Sequence, residues 1–491
     1  MKVKFYTLGC KVNTYETEAM EQQFMAYGYN LSEENADIYV INTCAVTNIA
    51  ERKSRQMIRR AKELNPKAII VVCGCYAQTS KEEIEKMPEV NIVIGVNEKT
   101  NIVKIVEEFL NEKHIDNDVK NNRAKDAFNK RVQVSDVMHQ NNYLDFGTTT
   151  YTELNRAVVK VQDGCDRFCS YCIIPYARGK VRSRNPESIL REIAQIAQEG
   201  IKEVVITGIH LASFGKDFSD EDAKKYRQTF GYNQDFKSFD PKDDLHTGGF
   251  RLIELLEQIN KVKGIERIRL GSLEPKLITR EFVTRLSKLE KICPHFHLSL
   301  QSGCNKTLKD MNRRYTTEEF ESLANLLRKV YPDVALTTDI IVGFPNETDA
   351  DFEKTYEFLK KIKFYKMHIF KYSPKKGTAA IKMKNQVDGK IKEERSKKLI
   401  ELSNKNQNEY NESYIGKTVK VLFEEYKNGY FKGHTANYIM VNVKETEIFK
   451  NDNIESNDLE KAKEKIIDKI LNVEILENDE KEIELIGKIA D

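Results

Sequence analysis

The strongest constraint on what this chain can fold into is a hydrophobic period that switches back and forth along it. In residues 1–110 the runs VKFYTL, ADIYVINT, AIIVVC and NIVIGV have the length and β-branched content of short buried strands. Between them, TYETEAMEQQFMAYG and IAERKSRQMIRRAKEL carry the period of amphipathic helices. Strand and helix in alternation specify an open parallel sheet, and ligands of such sheets gather outside the carboxyl ends of the strands. Cys10, Cys44 and Cys75 follow the first, second and third strands, so thiols far apart in sequence are expected at one edge. Cys73, two residues before Cys75 in VVCGCYA, reads as the last strand residue, packed inside, with Gly74 turning the chain between the two.

A second alternation starts near residue 155. RAVVKVQ, EVVITGI, RIRLGSL, FHLSLQ, VALTTDIIVGF and YKMHIFKYS read as strands, separated by helical runs such as PESILREIAQIAQEG, RLIELLEQINKV and TEEFESLANLLRKV. These β/α units suggest an incomplete barrel with its chemistry on the loops at the strand carboxyl ends. Residues 111–150 lose both periods and are rich in Asn, Lys and Asp, as a linker would be. Residues 215–249 interrupt the barrel pattern as a polar surface insertion or lid. After about residue 410, TVKVLFEEY, YFKGHTANYIMVNV and KIIDKILNVEILE read as a small β-barrel. The expected class is α/β: an open parallel sheet over 1–110, a linker over 111–150, a partial (β/α)6 barrel over 151–385 and a small β-barrel over 411–491.

Six of the nine cysteines form two sets of three. Beside the scattered set above, Cys165, Cys169 and Cys172 make a compact C-x3-C-x2-C run in DGCDRFCSYCIIPYARG, in the first loop of the second alternation. A [4Fe–4S] cube is normally held by four thiolates, so three leave one iron open to another molecule. Zinc sites usually pair C-x2-4-C with a second pair of Cys or His, and no such pair follows here. Two open-iron clusters point to redox chemistry on a bound molecule. Tyr171, beside Cys172, is placed to present its ring to a ligand on the open iron.

Composition narrows the setting. No stretch approaches the 18 or so uninterrupted apolar residues of a membrane span, and MKVKFYTLGC runs straight into a strand without a signal peptide's apolar segment. A cytosolic location is expected, where cysteine clusters read as metal or catalytic sites before disulfides. The net charge of +3 is uneven: residues 411–491 carry 12 Lys/Arg against 18 Asp/Glu, leaving +9 on the rest. That basic excess is compatible with a nucleic-acid partner without establishing one.

The cysteine run within QDGCDRFCSYCIIPYARGKVRSR resembles that of the radical S-adenosylmethionine superfamily. With LGCKVNTYETE, INTCAVT, GCYAQ, LGSLEP, HLSLQSG, MNRRYTTEEF and GFPNET, the chain resembles the superfamily's methylthiotransferase family almost end to end. LGCKVN followed by YETE, and FHLSLQSGCN, are similar to the branch acting on tRNA threonylcarbamoyladenosine. The isopentenyladenosine branch usually reads GCQMN, and the branch acting on a ribosomal protein aspartate usually reads GCPKN. The resemblance implies two [4Fe–4S] clusters and S-adenosylmethionine as cofactors. It also implies tRNA, a reductant protein and a sulfur source as partners of a cytoplasmic monomer that does not use a membrane. Alternatives are methylthiolation of isopentenyladenosine tRNA or a ribosomal protein aspartate, and a non-catalytic iron–sulfur RNA-binding protein.

In that reading the cluster on Cys165, Cys169 and Cys172 cleaves S-adenosylmethionine to a radical that abstracts hydrogen from the adenine carbon to be thiolated. The cluster on Cys10, Cys44 and Cys75 delivers a sulfur methylated by another S-adenosylmethionine. Implied cofactor contacts are Tyr171, Gly208 in TGIH, Glu274, Ser299, Gln301 and Ile341 in DIIVGFPNE, with Arg178 or Arg314 pairing the cofactor's carboxylate. Arg178, Lys180, Arg182 and Arg184 of RGKVRSR are expected on one face of an extended segment, against tRNA phosphates. The C-terminal barrel resembles a TRAM domain, where Lys417, Lys420, Lys427, Lys432 and His434 would face RNA. KNDNIESNDLEKAKEKIIDKIL departs from the common pattern and expands that barrel.

Overall fold

The strand Ile38–Thr43 sends Ile38 and Val40 into one apolar layer and Tyr39 and Ile41 into another, and Ile69–Gly74 divides its side chains the same way. A strand buried on both faces needs apolar residues at nearly every position, which is why these segments read as unbroken runs. The computed structural model, which describes residues 1–118, 130–147, 155–232, 249–451 and 459–490, sets both at the centre of a six-stranded parallel sheet. Its strands are β1 Lys2–Thr7, β2 Asn30–Leu31, β3 Ile38–Thr43, β4 Ile69–Gly74, β5 Ile92–Ile94 and β6 Arg131–Gln133, in the order β2-β1-β3-β4-β5-β6. Helix Lys11–Ala26 packs Met20 and Phe24 into one layer, and helix Asn48–Leu64 packs Ile58 and Ala61 into the other. The Thr47 hydroxyl caps the second helix by accepting from the Ala50 N–H at 3.1 Å.

The linker expectation for 111–150 is corrected here. Helix Ile102–Asp118 runs into that segment, and its RVQ pairs with β5 as the sheet's last strand. Three residues of mixed polarity carry too little pattern to read as a strand; pairing with β5 places them. Residues 119–129 and 148–154 lie outside the described residues.

The second unit is an open arc. β7 Arg156–Asp163, β9 Glu203–Gly208 and β10 Arg267–Leu270 are parallel neighbours, with the short β8 Arg182–Ser183 antiparallel on β7. β11 His295–His297, β12 Ala335–Val342 and β13 Lys366–Lys371 form the other half, and a bridge between Leu273 and Leu298 joins the two. All six expected strands are present. Helix Pro186–Gln198, capped by Asn185 with Pro in its first turn, buries Ile189, Ile193 and Ile196 against the arc. Insertion 215–249 is not wholly a surface excursion: helix Asp220–Thr229 buries Tyr226 against Phe218 and Phe250. Its residues 233–248 lie outside the described ones.

β14 Thr418–Lys427, β15 Tyr430–Thr435, β16 Met440–Lys444, β17 Ile470–Asp479 and β18 Glu484–Ile489 close a barrel in the order β14-β15-β16-β18-β17. Helices Glu445–Asn451 and Leu459–Ile466 occupy the expanded connection. The barrel is docked on the arc by arginines of β10: Arg267 donates to the carbonyls of His434 and Lys420, and Arg269 to that of Ala436, each at 2.9 Å. Among the described residues no helix is long and apolar enough to cross a membrane.

Candidate active site between two thiol triads

Three adjacent parallel strands, β1, β3 and β4, end at one edge of the first sheet, and Cys10, Cys44 and Cys75 follow them. Gly74 has φ +99°, and a Cβ there would lie 2.5 Å from the Thr43 carbonyl oxygen, so glycine alone carries the chain from β4 into helix Cys75–Thr79. Cys73 points to the apolar layer holding Val71 and Ile69, while Cys75 opens the helix at the sheet's edge. Cys44 and Cys75 are buried, whereas Cys10 is exposed.

The second triad sits on the loop after β7. Gly164, φ +72°, precedes Cys165, and a Cβ there would lie 1.7 Å from the Lys180 carbonyl oxygen. The Cys172 N–H donates to the Cys169 carbonyl at 2.9 Å and the Cys165 N–H to that of Gly179 at 3.0 Å, curling the loop on itself. Burial pushes the Cys165 and Cys172 thiols up to about 12 and Cys44 to about 11, so uncomplexed they keep their protons. A metal that takes up sulfur releases those protons. Among the described residues no three His, Cys, Asp or Glu side chains converge on a point fit for a single ion. A cube, by contrast, takes each sulfur on a different iron.

One cavity of about 880 Å³ joins the two triads: Cys10 lines it from the sheet domain, and Cys165, Cys169 and Cys172 from the arc. Of the residues expected at a cofactor, Tyr171, Gly208, Glu274, Ser299 and Gln301 line it as well. His434 and Tyr438 of the C-terminal barrel form part of its wall. Ile341 does not line it; it packs with Phe344, Met311 and Tyr372 in the small apolar cluster behind Tyr171.

The arginine beside the loop is Arg313 and not Arg314. Arg313 donates to Cys169 Sγ at 3.3 Å, to Glu274 at 3.2 Å and to the Ser299 carbonyl at 2.9 Å, whereas Arg314 is exposed outside the cavity. Burial alone would raise the Glu274 carboxyl, but Arg313 and His210 overcome it and hold it at about 2. In MNRRY nothing distinguishes the two arginines by pattern. Asn312, just before Arg313, has φ +60°, and its side-chain amide donates to the Phe168 carbonyl at 3.0 Å.

The basic run RGKVRSR is not the exposed face expected of it. Arg178 ends a short helix, and Arg178, Arg182 and Arg184 are all buried. Arg178 donates to Glu16 at 2.6 Å, to Asp163 at 3.2 Å and to Cys75 Sγ at 3.4 Å, and it does not line the cavity. Arg182 faces Asp163 at 3.7 Å, and Arg184 pairs with Glu192 and, at 3.0 Å, with Asp145. Buried guanidinium groups with carboxylate partners cannot reach RNA phosphates; of the four only Lys180 is exposed. Lys417 is exposed, its ammonium 4.9 Å from the Tyr414 ring centre, and Lys432 pairs with Glu484 at 3.1 Å beside the cavity.

The open arc with its cysteine loop defines a radical S-adenosylmethionine enzyme, and the radical SAM superfamily model matches residues 159–359. A second model, "Uncharacterized protein family UPF0004", matches residues 2–95. The chain is 39% identical over 453 residues to the threonylcarbamoyladenosine tRNA methylthiotransferase MtaB of Bacillus subtilis, covering 91% of each chain. It is 40% identical to the MtaB of Aquifex aeolicus, over 87% of this chain and 93% of that one. The tRNA-2-methylthio-N(6)-dimethylallyladenosine synthase of Caldicellulosiruptor saccharolyticus is 35% identical, over 89% and 86%. The chain belongs to the radical S-adenosylmethionine tRNA methylthiotransferase family. Membership implies a [4Fe–4S] cluster and S-adenosylmethionine.

Proposed function

We propose that this enzyme converts N6-threonylcarbamoyladenosine in tRNA to its 2-methylthio derivative. The observation that carries this reading is the shared cavity, onto which Cys10 and the loop triad both open. The higher identity to the two threonylcarbamoyladenosine enzymes than to the dimethylallyladenosine synthase supports the choice of base.

Cys165, Cys169 and Cys172 would hold one cluster and Cys10, Cys44 and Cys75 the other. Bound there, the clusters and S-adenosylmethionine would supply radical activation of the adenine carbon and transfer of a methylated sulfur. The protein's own part is to orient and to exclude water. Arg313 fixes Cys169 and Glu274 together, and Tyr171, backed by Phe344, closes the cavity beside the loop. The thiols of the sheet domain stand against a buried network of Lys99, Lys160, Arg178 and Arg182 with only Glu16 and Asp163 as carboxylates. Four cations against two carboxylates leave an excess of two positive charges beside Cys75. A cube held by three thiolates is net negative and offsets that excess, which favours a cluster at this triad over free thiols.

Anaerobic reconstitution followed by assay of iron, sulfide and 5′-deoxyadenosine, with mass spectrometry of tRNA nucleosides, tests the proposal. About eight irons per chain and the methylthio product are expected. About four irons with cofactor cleavage but no product would remove the second cluster or the substrate. RNA contact is the part most altered by the structure. Lys180→Ala is expected to flatten the salt dependence of tRNA binding by about 0.7 in the log–log slope. Arg182→Ala should cost folding stability instead, with no comparable change of slope.

A further inference from the structure

We infer that Lys11 and His295 form the subsite for the carboxylate and hydroxyl of the substrate's threonyl group, Lys11 taking the carboxylate and His295 the hydroxyl; this rests on the threonylcarbamoyladenosine reading above. Lys11 follows Cys10 and projects into the shared cavity, where His295 also lines the wall. Among the described residues the Lys11 ammonium makes no hydrogen bond and no ion pair. The nearby carboxylates are engaged elsewhere: Glu203 with Arg269 at 2.7 Å, and Asp339 with His297 at 3.1 Å. A cation in a partly desolvated cavity with no anion of its own is set up to receive one.

His295 supplies the second, independent mark. It is 9% exposed, and its Nδ1 has no hydrogen-bond partner. Its Nε2 lies 3.3 Å from the Thr337 hydroxyl, which lies 3.0 Å from His297 Nδ1. Asp339 accepts from His297 Nε2–H, so the Thr337 hydroxyl donates to His297 Nδ1 and accepts from His295 Nε2–H, which leaves His295 Nδ1 as an unpaired acceptor. A carboxylate with a neighbouring hydroxyl matches one ammonium and one orphan acceptor nitrogen: the threonyl carboxylate takes Lys11, and the threonyl hydroxyl donates to His295 Nδ1. An apolar alkenyl group in the same place would leave both unpaired, and sites built to hydrogen-bond a substrate reject analogues that cannot.

The test compares methylthiolation of tRNA bearing threonylcarbamoyladenosine with the same tRNA after methyl esterification of the threonyl carboxyl. Wild-type, Lys11→Gln and Lys11→Arg enzymes are used, with iron content measured for each. Wild-type kcat/KM is expected to fall about 30-fold or more on the ester. Lys11→Gln should lose a similar factor on the acid and little more on the ester, and Lys11→Arg should recover most of the loss. A wild-type enzyme indifferent to esterification overturns the assignment without any variant. So does an equal loss on acid and ester in Lys11→Gln. A rise confined to the KM for S-adenosylmethionine would give Lys11 to the methionyl carboxylate, and a flattened salt slope would give it to an RNA phosphate; either overturns the proposal. Cofactor cleavage with no product on either tRNA is a different signature, and marks failure of the substrate reading itself.

Discussion

Cys169→Ala is expected to abolish both 5′-deoxyadenosine formation and the methylthio product, and to leave about four irons in place of about eight. With three thiolates as the only protein ligands of the proposed loop cluster, losing one would open a second iron and remove the group to which Arg313 donates. The sheet triad should survive, because it is built on a separate parallel sheet with its own two apolar layers. Cys75→Ala is the mirror experiment. It should keep cofactor cleavage, lose the methylthio product and retain the other four or so irons. Cys73→Ala, two residues away, removes a buried apolar thiol from β4 and should load iron fully. Normal loading in Cys75→Ala together with loss in Cys73→Ala would exchange the two assignments.

The cysteine geometry was legible in the sequence because parallel strands impose it. Where short apolar runs end in cysteine, a doubly covered sheet delivers those ends to one edge, whatever the sequence distance. The same rule placed the C-x3-C-x2-C loop at the mouth of the arc. Charge was not legible in this way. Alternating Arg178, Lys180, Arg182 and Arg184 carry the pattern of a solvated face, and the partners that bury them stand elsewhere. Glu16 lies in the first helix, Asp145 in the segment that reads as a linker, and Glu192 on the next helix. Local period carries no record of such long-range pairs. The inward arginine of MNRRY was missed for a related reason: its partners, Cys169, Glu274 and the Ser299 carbonyl, stand elsewhere in the sequence.

Glu16→Gln is expected to destabilise the protein by about 3–5 kcal/mol, the usual consequence of leaving buried charges without their counter-ion. Glu16 is 1% exposed and receives Lys99 at 2.6 Å, Lys160 at 2.7 Å and Arg178 at 2.6 Å. These three cations hold its carboxyl well below the usual range against the opposing pull of burial. Without it, four buried cations share the single carboxylate of Asp163. Arg178→Met should behave differently. Glu16 would keep both lysines and Asp163 would keep Lys160 and Arg182, so the excess charge falls and the global loss should be the smaller of the two. Its cost should appear at Cys75, whose sulfur loses the guanidinium 3.4 Å away, as poorer iron loading of the sheet triad. Denaturant midpoints and iron content, measured on both variants, separate the roles. If Glu16→Gln shifts stability by less than about 0.5 kcal/mol, the network is not the electrostatic keystone between the two domains. If Arg178→Met loads iron as the wild type does, the excess charge is not what stabilises the second cluster.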